Sequence, residues 1–356
     1  MLLALVCNLE KSNKFASMRI FLFLFLSTVV LEMYSCESPE NQTVTLDDVN
    51  LNIDSLIRAH PDSIPLLLKR GEIRIENYTY DLALVDAAKA FRLDTNNLKA
   101  RLLYAEVINR RDTRSPAEVE TAQRLYKSII MKQPKNLKAL VGLAATYTYQ
   151  RDFNSSFEQI NKALRIDKHY RDGYVLKGTN YTMIGDRDKA ISSYKTAIQQ
   201  DPEFYAAYLL LAQLYQDDNN PQCLEYYKSA AKIKPELEGQ LRFYIAYCEQ
   251  EYGDIETAKT LYRKMAADTI EANVLMGLFH QARIKQFTDN NLDSAIYLYK
   301  SALKTEPRHV ESWHNLGMCF DGLGNKTQAL KSFAKALEYN PNFELSRVYA
   351  DSIRFL

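Results

Sequence analysis

Between Val310 and Phe343 the chain places Trp313, Leu316, Gly317 and Phe320, then Ala329, Phe333 and Ala336, and last Pro341. The first four fall at i, i+3, i+4 and i+7, which is one face of an α-helix. The next three mark a second helix, and Asp321 to Asn325, with Gly322 and Gly324, reads as the turn between the two. Pro341 ends the second helix because it lacks an amide donor and clashes with the preceding turn. Gly317 and Ala329 are small where two antiparallel helices must come close. A hairpin of this size cannot bury its own apolar face, so the pattern is stable only where copies of it stack.

Copies are present. Arg171 to Phe204 carries Tyr174, Gly178, Tyr181, Ala190, Tyr194, Ala197 and Pro202 at matching offsets, and the next unit carries Tyr208, Leu211, Ala212, Tyr215, Cys223, Tyr227, Ala230 and Pro235. Leu137 to Tyr170 keeps Leu140, Leu143, Ala144, Tyr147 and Ala163, and Ile64 to Asn97 keeps Leu67, Gly71, Ala83, Ala87 and Ala90. Three units are degenerate: Leu98 to Asn136, Gly239 to Thr269 and Ile270 to His309. The stretches Arg110 to Val119 and Ile284 to Leu292 read as enlarged turns within two of them. Such insertions serve either as binding elements or as tolerated surface loops.

This set of offsets, at a period of about 34 residues, resembles the tetratricopeptide repeat (TPR). The resemblance implies an all-α fold, a right-handed superhelical solenoid of about eight helix-turn-helix repeats over residues 64–343. Leu46, Val49, Ile53, Leu56 and Ile57 form an apolar stripe ended by His60 and Pro61, so residues 46–63 read as an N-terminal capping helix. Residues 344–356 read as a C-terminal one.

The beginning of the chain differs in kind. Ile20 to Leu31 is an apolar run preceded by Arg19, too short to span a bilayer and fitting the central segment of an export signal. Met18 stands directly before Arg19, a candidate natural start. Residues 1–35 thus read as a targeting segment and 36–45 as a polar tether. Ser35 followed by Cys36 is similar to the end of a bacterial lipoprotein signal, although Met33 and Tyr34 depart from the usual residues. That likeness, to envelope TPR lipoproteins of Bacteroidetes-like bacteria, implies lipidation at Cys36. It also implies a location in the envelope, at the outer membrane or in the periplasm.

Lys plus Arg is 45 against 44 Asp plus Glu, which gives no electrostatic reason to expect a nucleic acid partner. Nothing reads as catalytic. None of the five histidines falls in a His-Glu-x-x-His pattern, and His309 and His314 are misplaced for one helical face. No metal and no cofactor is expected. Cys223, Cys248 and Cys319 sit inside repeat helices and read as buried small hydrophobes rather than a disulfide framework.

In TPR proteins the fifth and ninth positions of each repeat line a partner-binding groove. Carried onto this chain, these give Leu102, Val141, Val175, Leu209, Phe243 and Val274 at the fifth position. At the ninth they give Thr179, Gln213 and Tyr247. The Lys, Asn and Arg with which some TPR modules clamp chaperone tails do not occur at these positions. The reading is a non-enzymatic scaffold that holds peptide or helix segments of other proteins. Two alternatives stay open: a carrier of envelope polysaccharide or another ligand, and a regulatory subunit of a separate enzyme. Apolar stripes of this kind also arise as packing between repeats.

Overall fold

The computed structural model describes residues 46–355; the targeting segment, the tether and Cys36 lie outside them. Eighteen α-helices and one short 3-10 turn make up the described residues, with no strand among them. By compactness the chain falls into two units, the first ending at Pro202 and the second beginning at Glu203.

In the first unit, α1 (Leu46–Ala59) precedes four helical hairpins. These are α2 (Ile64–Glu76) with α3 (Tyr80–Leu93), α4 (Leu98–Arg110) with α5 (Pro116–Lys132), α6 (Leu137–Tyr149) with α7 (Phe153–Ile166), and α8 (Arg171–Ile184) with α9 (Arg187–Gln200). The second unit repeats the plan and closes on a single helix. Its hairpins are α10 (Tyr205–Asp217) with α11 (Gln222–Ile233), α12 (Glu238–Tyr252) with α13 (Ile255–Ala266), α14 (Glu271–Phe287) with α15 (Leu292–Thr305), and α16 (Val310–Gly322) with α17 (Lys326–Tyr339). Helix α18 (Glu344–Phe355) follows. The fold is an all-α repeat solenoid.

Short polar residues start these helices by accepting orphan amides. Asn97, Asn136, Asp152, Asp186, Asp254, Asn291 and Asn325 each cap the helix that follows, and Ser115 with Glu118 forms a reciprocal capping box. Most hairpin turns then reverse through one left-handed residue: Tyr78, Arg151, Gly185, Asn219, Asn290 or Gly324. The next amide bonds back to a carbonyl of the ending helix, as in Asp186 N to Tyr181 O and Asn325 N to Phe320 O. Glycine meets this demand without strain at two turns, whereas Tyr78 and Arg151 carry it against their side chains.

Packing explains the tyrosines. Tyr126, Tyr194, Tyr227, Tyr262, Tyr299 and Phe333 occupy one offset of the second helices, and each is at most 3% exposed. A Cβ at Gly317 would lie 2.7 Å from the Phe333 ring, and one at Gly178 would lie 2.5 Å from that of Tyr194. The glycine therefore makes room for the ring of its own hairpin. A buried phenol then needs an acceptor. Tyr227 donates to Gln216 Oε1 at 2.7 Å and Tyr299 to Gln286 Oε1 at 2.8 Å, while Tyr194 Oη lies 3.3 Å from both Thr179 and Thr182 hydroxyls.

Two polar groupings lock neighbours together in the first unit. Asp86, 1% exposed on α3, takes Arg70 at 2.6 Å and Arg74 at 2.7 Å, and Arg70 also reaches Asp54 of α1 at 2.6 Å. Ile53 and Ile57 of α1 pack beside this grouping on Leu67 and Ile73. Deeper in the stack, Thr148 of α6 donates to Asn180 Oδ1 of α8 at 2.6 Å. Asn180 Nδ2 donates to Ser156 of α7 at 2.8 Å, and Ser156 and Thr148 hydroxyls are 2.9 Å apart. All three are buried. At the far end of the second unit, Ala350 and Ile353 of α18 cover Ala329 and Phe333.

The structure corrects the reading of the two insertions as enlarged turns. Much of the extra length is helix: α5 and α14 each run to 17 residues. Ile284 is 2% exposed, Gln286 meets Tyr299, and Val119 is 1% exposed, so burial recruits these residues into an added turn. Only 111–115 and 288–291 remain as connecting loop.

Candidate partner-binding surfaces

The fifth and ninth positions lie on the first helix of each hairpin and are described for each unit separately. In the first unit Leu102, Val141 and Val175 are half-buried. Leu102 packs against the cluster of Ile108, Tyr126 and Leu143, and Val141 against Ala145, Ile160 and Leu176. Thr179 is 3% exposed, and its hydroxyl is used within its own hairpin beside Tyr194. Packing thus covers part of Leu102 and Val141, and Thr179 is buried within its own hairpin.

Polar residues gather about Glu106, the ninth residue of its repeat, and the others stand off both offsets. Arg110 lies 2.9 Å from Glu106 one turn away. Tyr80 and Tyr170 both have phenols raised in pKa, first by burial, with Arg110 opposing the rise at Tyr80 and Asp172 and Glu106 adding to it at Tyr170. These four residues give the first unit a face with both charges represented. Only Glu106 stood at a repeat offset, so the others were visible in sequence as nothing more than surface polar residues.

In the second unit Leu209 and Gln213 are half-buried on α10, with Gln213 Nε2 donating to Asp217 Oδ1 at 2.9 Å. Phe243 and Tyr247 of α12 stack with centroids 6.5 Å apart. Phe243 meets Tyr244 edge-on at 5.6 Å and His280 at 5.3 Å, and His280 in turn stacks on Tyr262 at 4.9 Å. Val274 is half-buried on α14. Burial, with Glu251 adding, pushes the Tyr247 phenol up to about 12. Arg283 stands close enough to Tyr247, Tyr262 and His280 to oppose a further rise at the phenols and to disfavour a charged imidazole.

His280 is held to about 3 and His314 to about 4 by burial, so both are neutral at pH 7 and neither offers a surface acid or base. Burial pushes Cys319 up to about 12, which keeps it a thiol. Among the described residues no group of three or more His, Cys, Asp or Glu could hold a metal ion. No described helix is long and apolar enough to cross a membrane.

Comparison with known proteins places this geometry. The model of the tetratricopeptide repeat matches residues 310–343, and a second model of the same repeat matches 179–237. Those two stretches match the tetratricopeptide repeat, and the hairpins around them keep the same plan. Among curated relatives, the mouse BBSome complex member BBS4 is 25% identical over 62% of this chain and 42% of its own length. The soybean Hsp70-Hsp90 organizing protein 1 is 23% identical over 67% of this chain and 36% of its own. The chain therefore spans well under half the length of either. Among solved structures, the Cut9–Hcn1 hetero-tetramer of the APC/C covers 98% of this chain and 65% of that one, at a TM-score of 0.52 and 15% identity. That likeness shows the repeat fold. The residues that line the TPR surfaces are those of this chain alone.

Proposed function

We propose that this TPR protein is a non-enzymatic scaffold that holds segments of other proteins on the first-helix faces of its hairpins. The observation that carries the reading is the partial exposure that packing leaves to Leu102, Val141, Val175, Leu209, Phe243, Tyr247 and Val274. Inter-hairpin packing uses one flank of these side chains and leaves the other for apolar contact with an extended or helical segment. Arg283 beside the Phe243–Tyr247 stack adds a cation that favours a segment with an acidic group near its apolar anchors. The relatives are named for multi-protein assemblies, the BBSome and an Hsp70–Hsp90 organizer, in keeping with a scaffold.

The scaffold works at the cell envelope in this reading, tethered by a lipid on Cys36. Support for the location comes from Arg19, the apolar run Ile20 to Leu31, and Ser35–Cys36. A carrier of polysaccharide calls for aromatic platforms open to solvent. The rings of Phe243, Tyr244 and Tyr247 instead pack on one another and on His280, which favours a protein partner.

The test is crosslinking in native envelopes with mass spectrometry of captured proteins, comparing the natural chain with the pair Leu209→Asp and Tyr247→Ala. Loss of a captured partner with helical content and melting unchanged supports the scaffold. Retention of every partner by a folded variant ends it. Fractionation after fatty-acid labelling, repeated with Cys36→Ala, decides the anchor separately: label and membrane association should both vanish.

A further inference from the structure

Cys223 opens α11 as its second residue, and Cys248 lies in the last turns of α12, in the neighbouring hairpin of the same unit. Both are free thiols, both are 0% exposed, and their sulfurs face each other at 2.9 Å. That is closer than two unbonded sulfurs rest, and less than 1 Å of approach separates it from a bond of about 2.05 Å. Cys223 takes the offset that alanine holds at Ala190, Ala258, Ala295 and Ala329, each of them sealed. A thiol there is not required by packing, since the smaller methyl serves the other hairpins.

The surroundings hold the two helices in this relation. Lys228 of α11 reaches Glu249 of α12 at 2.6 Å, and Tyr227 stacks on Tyr244 with centroids 5.2 Å apart. The sulfurs therefore meet across an interface already fixed on both sides.

We propose that Cys223 and Cys248 are a disulfide-forming pair that ties the hairpin of α10 and α11 to α12. The oxidant is a small-molecule disulfide such as oxidised glutathione, admitted by local opening of the interface. Cys223 loses its proton and its thiolate attacks one sulfur of that disulfide, which breaks and releases one small thiolate. Cys248 then loses its proton, and its thiolate attacks Cys223 Sγ and expels the second. Two protein thiols are oxidised to one disulfide, and one small disulfide is reduced to two small thiols after these take up the two protons. The order follows from the environment. The contact with Cys248, with the amides at the start of α11 adding to it, favours the thiolate at Cys223, whereas Cys223, burial and Glu249 disfavour it at Cys248. This inference goes beyond the scaffold reading and does not depend on it.

The test treats the reduced full chain with graded ratios of oxidised to reduced glutathione, held a few degrees below its melting point so that the interface opens. Samples are alkylated in denaturant and mapped by peptide mass spectrometry. The expected result is a Cys223–Cys248 linked peptide pair lacking two hydrogens, with Cys319 alkylated. The melting midpoint should rise by about 5 to 10 °C and return on reduction, the scale for a loop of this length. In Cys248→Ser the rise should be absent; if that variant does not fold, the map of the natural chain decides alone. Full alkylation of both thiols at the most oxidising ratio overturns the proposal. So does Cys223 stopping at the glutathione adduct.

Discussion

At the scale of single residues, His280 is one of the groups through which the second unit responds to acid. Its imidazole is enclosed by Phe243, Tyr262 and Phe279, and among the described residues neither its Nδ1 nor the Tyr262 hydroxyl on the stacked ring has a hydrogen-bond partner. Burial is the main cause of its low pKa of about 3, with Arg283 and His309 adding to it. In an unfolded chain the same group takes up a proton near pH 6.5. Below that pH the unfolded state binds the extra proton, so the stability is complete above about 6.5 and is lost as pH falls toward 3. Phenylalanine at this site removes both the titration and the unpaired nitrogen. His280→Phe should match or exceed the natural chain at pH 7 by about 1 kcal/mol. Between pH 6.5 and 5 it should lose about 2 kcal/mol less. Urea unfolding at the two pH values checks this, and equal losses would show that His280 does not titrate on unfolding.

At the scale of helices and hairpins, glycine reports how closely two elements approach. A Cβ on Gly317 of α16 meets the Phe333 ring of α17, and a ring can tilt aside. A Cβ on Gly277 of α14 meets backbone instead, 2.7 Å from Tyr262 O and 2.9 Å from Met265 C at the end of α13. Backbone inside a helix cannot yield without breaking the helix. Gly277→Ala should therefore cost about 3 kcal/mol and Gly317→Ala about 1 kcal/mol, measured by denaturant midpoints. Sequence offsets made Gly317 legible as a point of close approach, and made the aromatic offset legible as core. What they could not tell apart is ring from backbone as the obstacle, because that depends on the tilt of α14 on α13. The insertions were misread for a related reason. Ile284 and Gln286 look like the start of a polar loop in sequence, and become helix only because the Tyr299 hydroxyl is there to be met.

For the whole molecule, stability is a sum of local terms, since within each unit a hairpin packs on its neighbours in sequence. Damage in one place should then stay there. In hydrogen exchange, Gly277→Ala should speed exchange in α13 to α15 while leaving α2 to α5 at their natural rates. Uniform acceleration throughout would mean that the chain opens as one cooperative body. The repeat offsets put Leu102, Phe243 and Tyr247 on the first helices as candidates, but nothing in their spacing tells how much of each side chain its neighbours cover. Arg110 and Arg283 stand off those offsets, and only packing reveals the company they keep.

The knot of Thr148, Ser156 and Asn180 bears on how such a chain can change over time. Its three members come from two successive hairpins, and the Asn180 amide finds Thr148 and Ser156 only in that order. Slipping a generic hairpin between α7 and α8 would leave Asn180 without Thr148 and Ser156 inside a dry interface. The modules of this protein are thus keyed to one another like teeth cut for a single lock, and they can be duplicated or shuffled at this joint only if the key is recut at the same time.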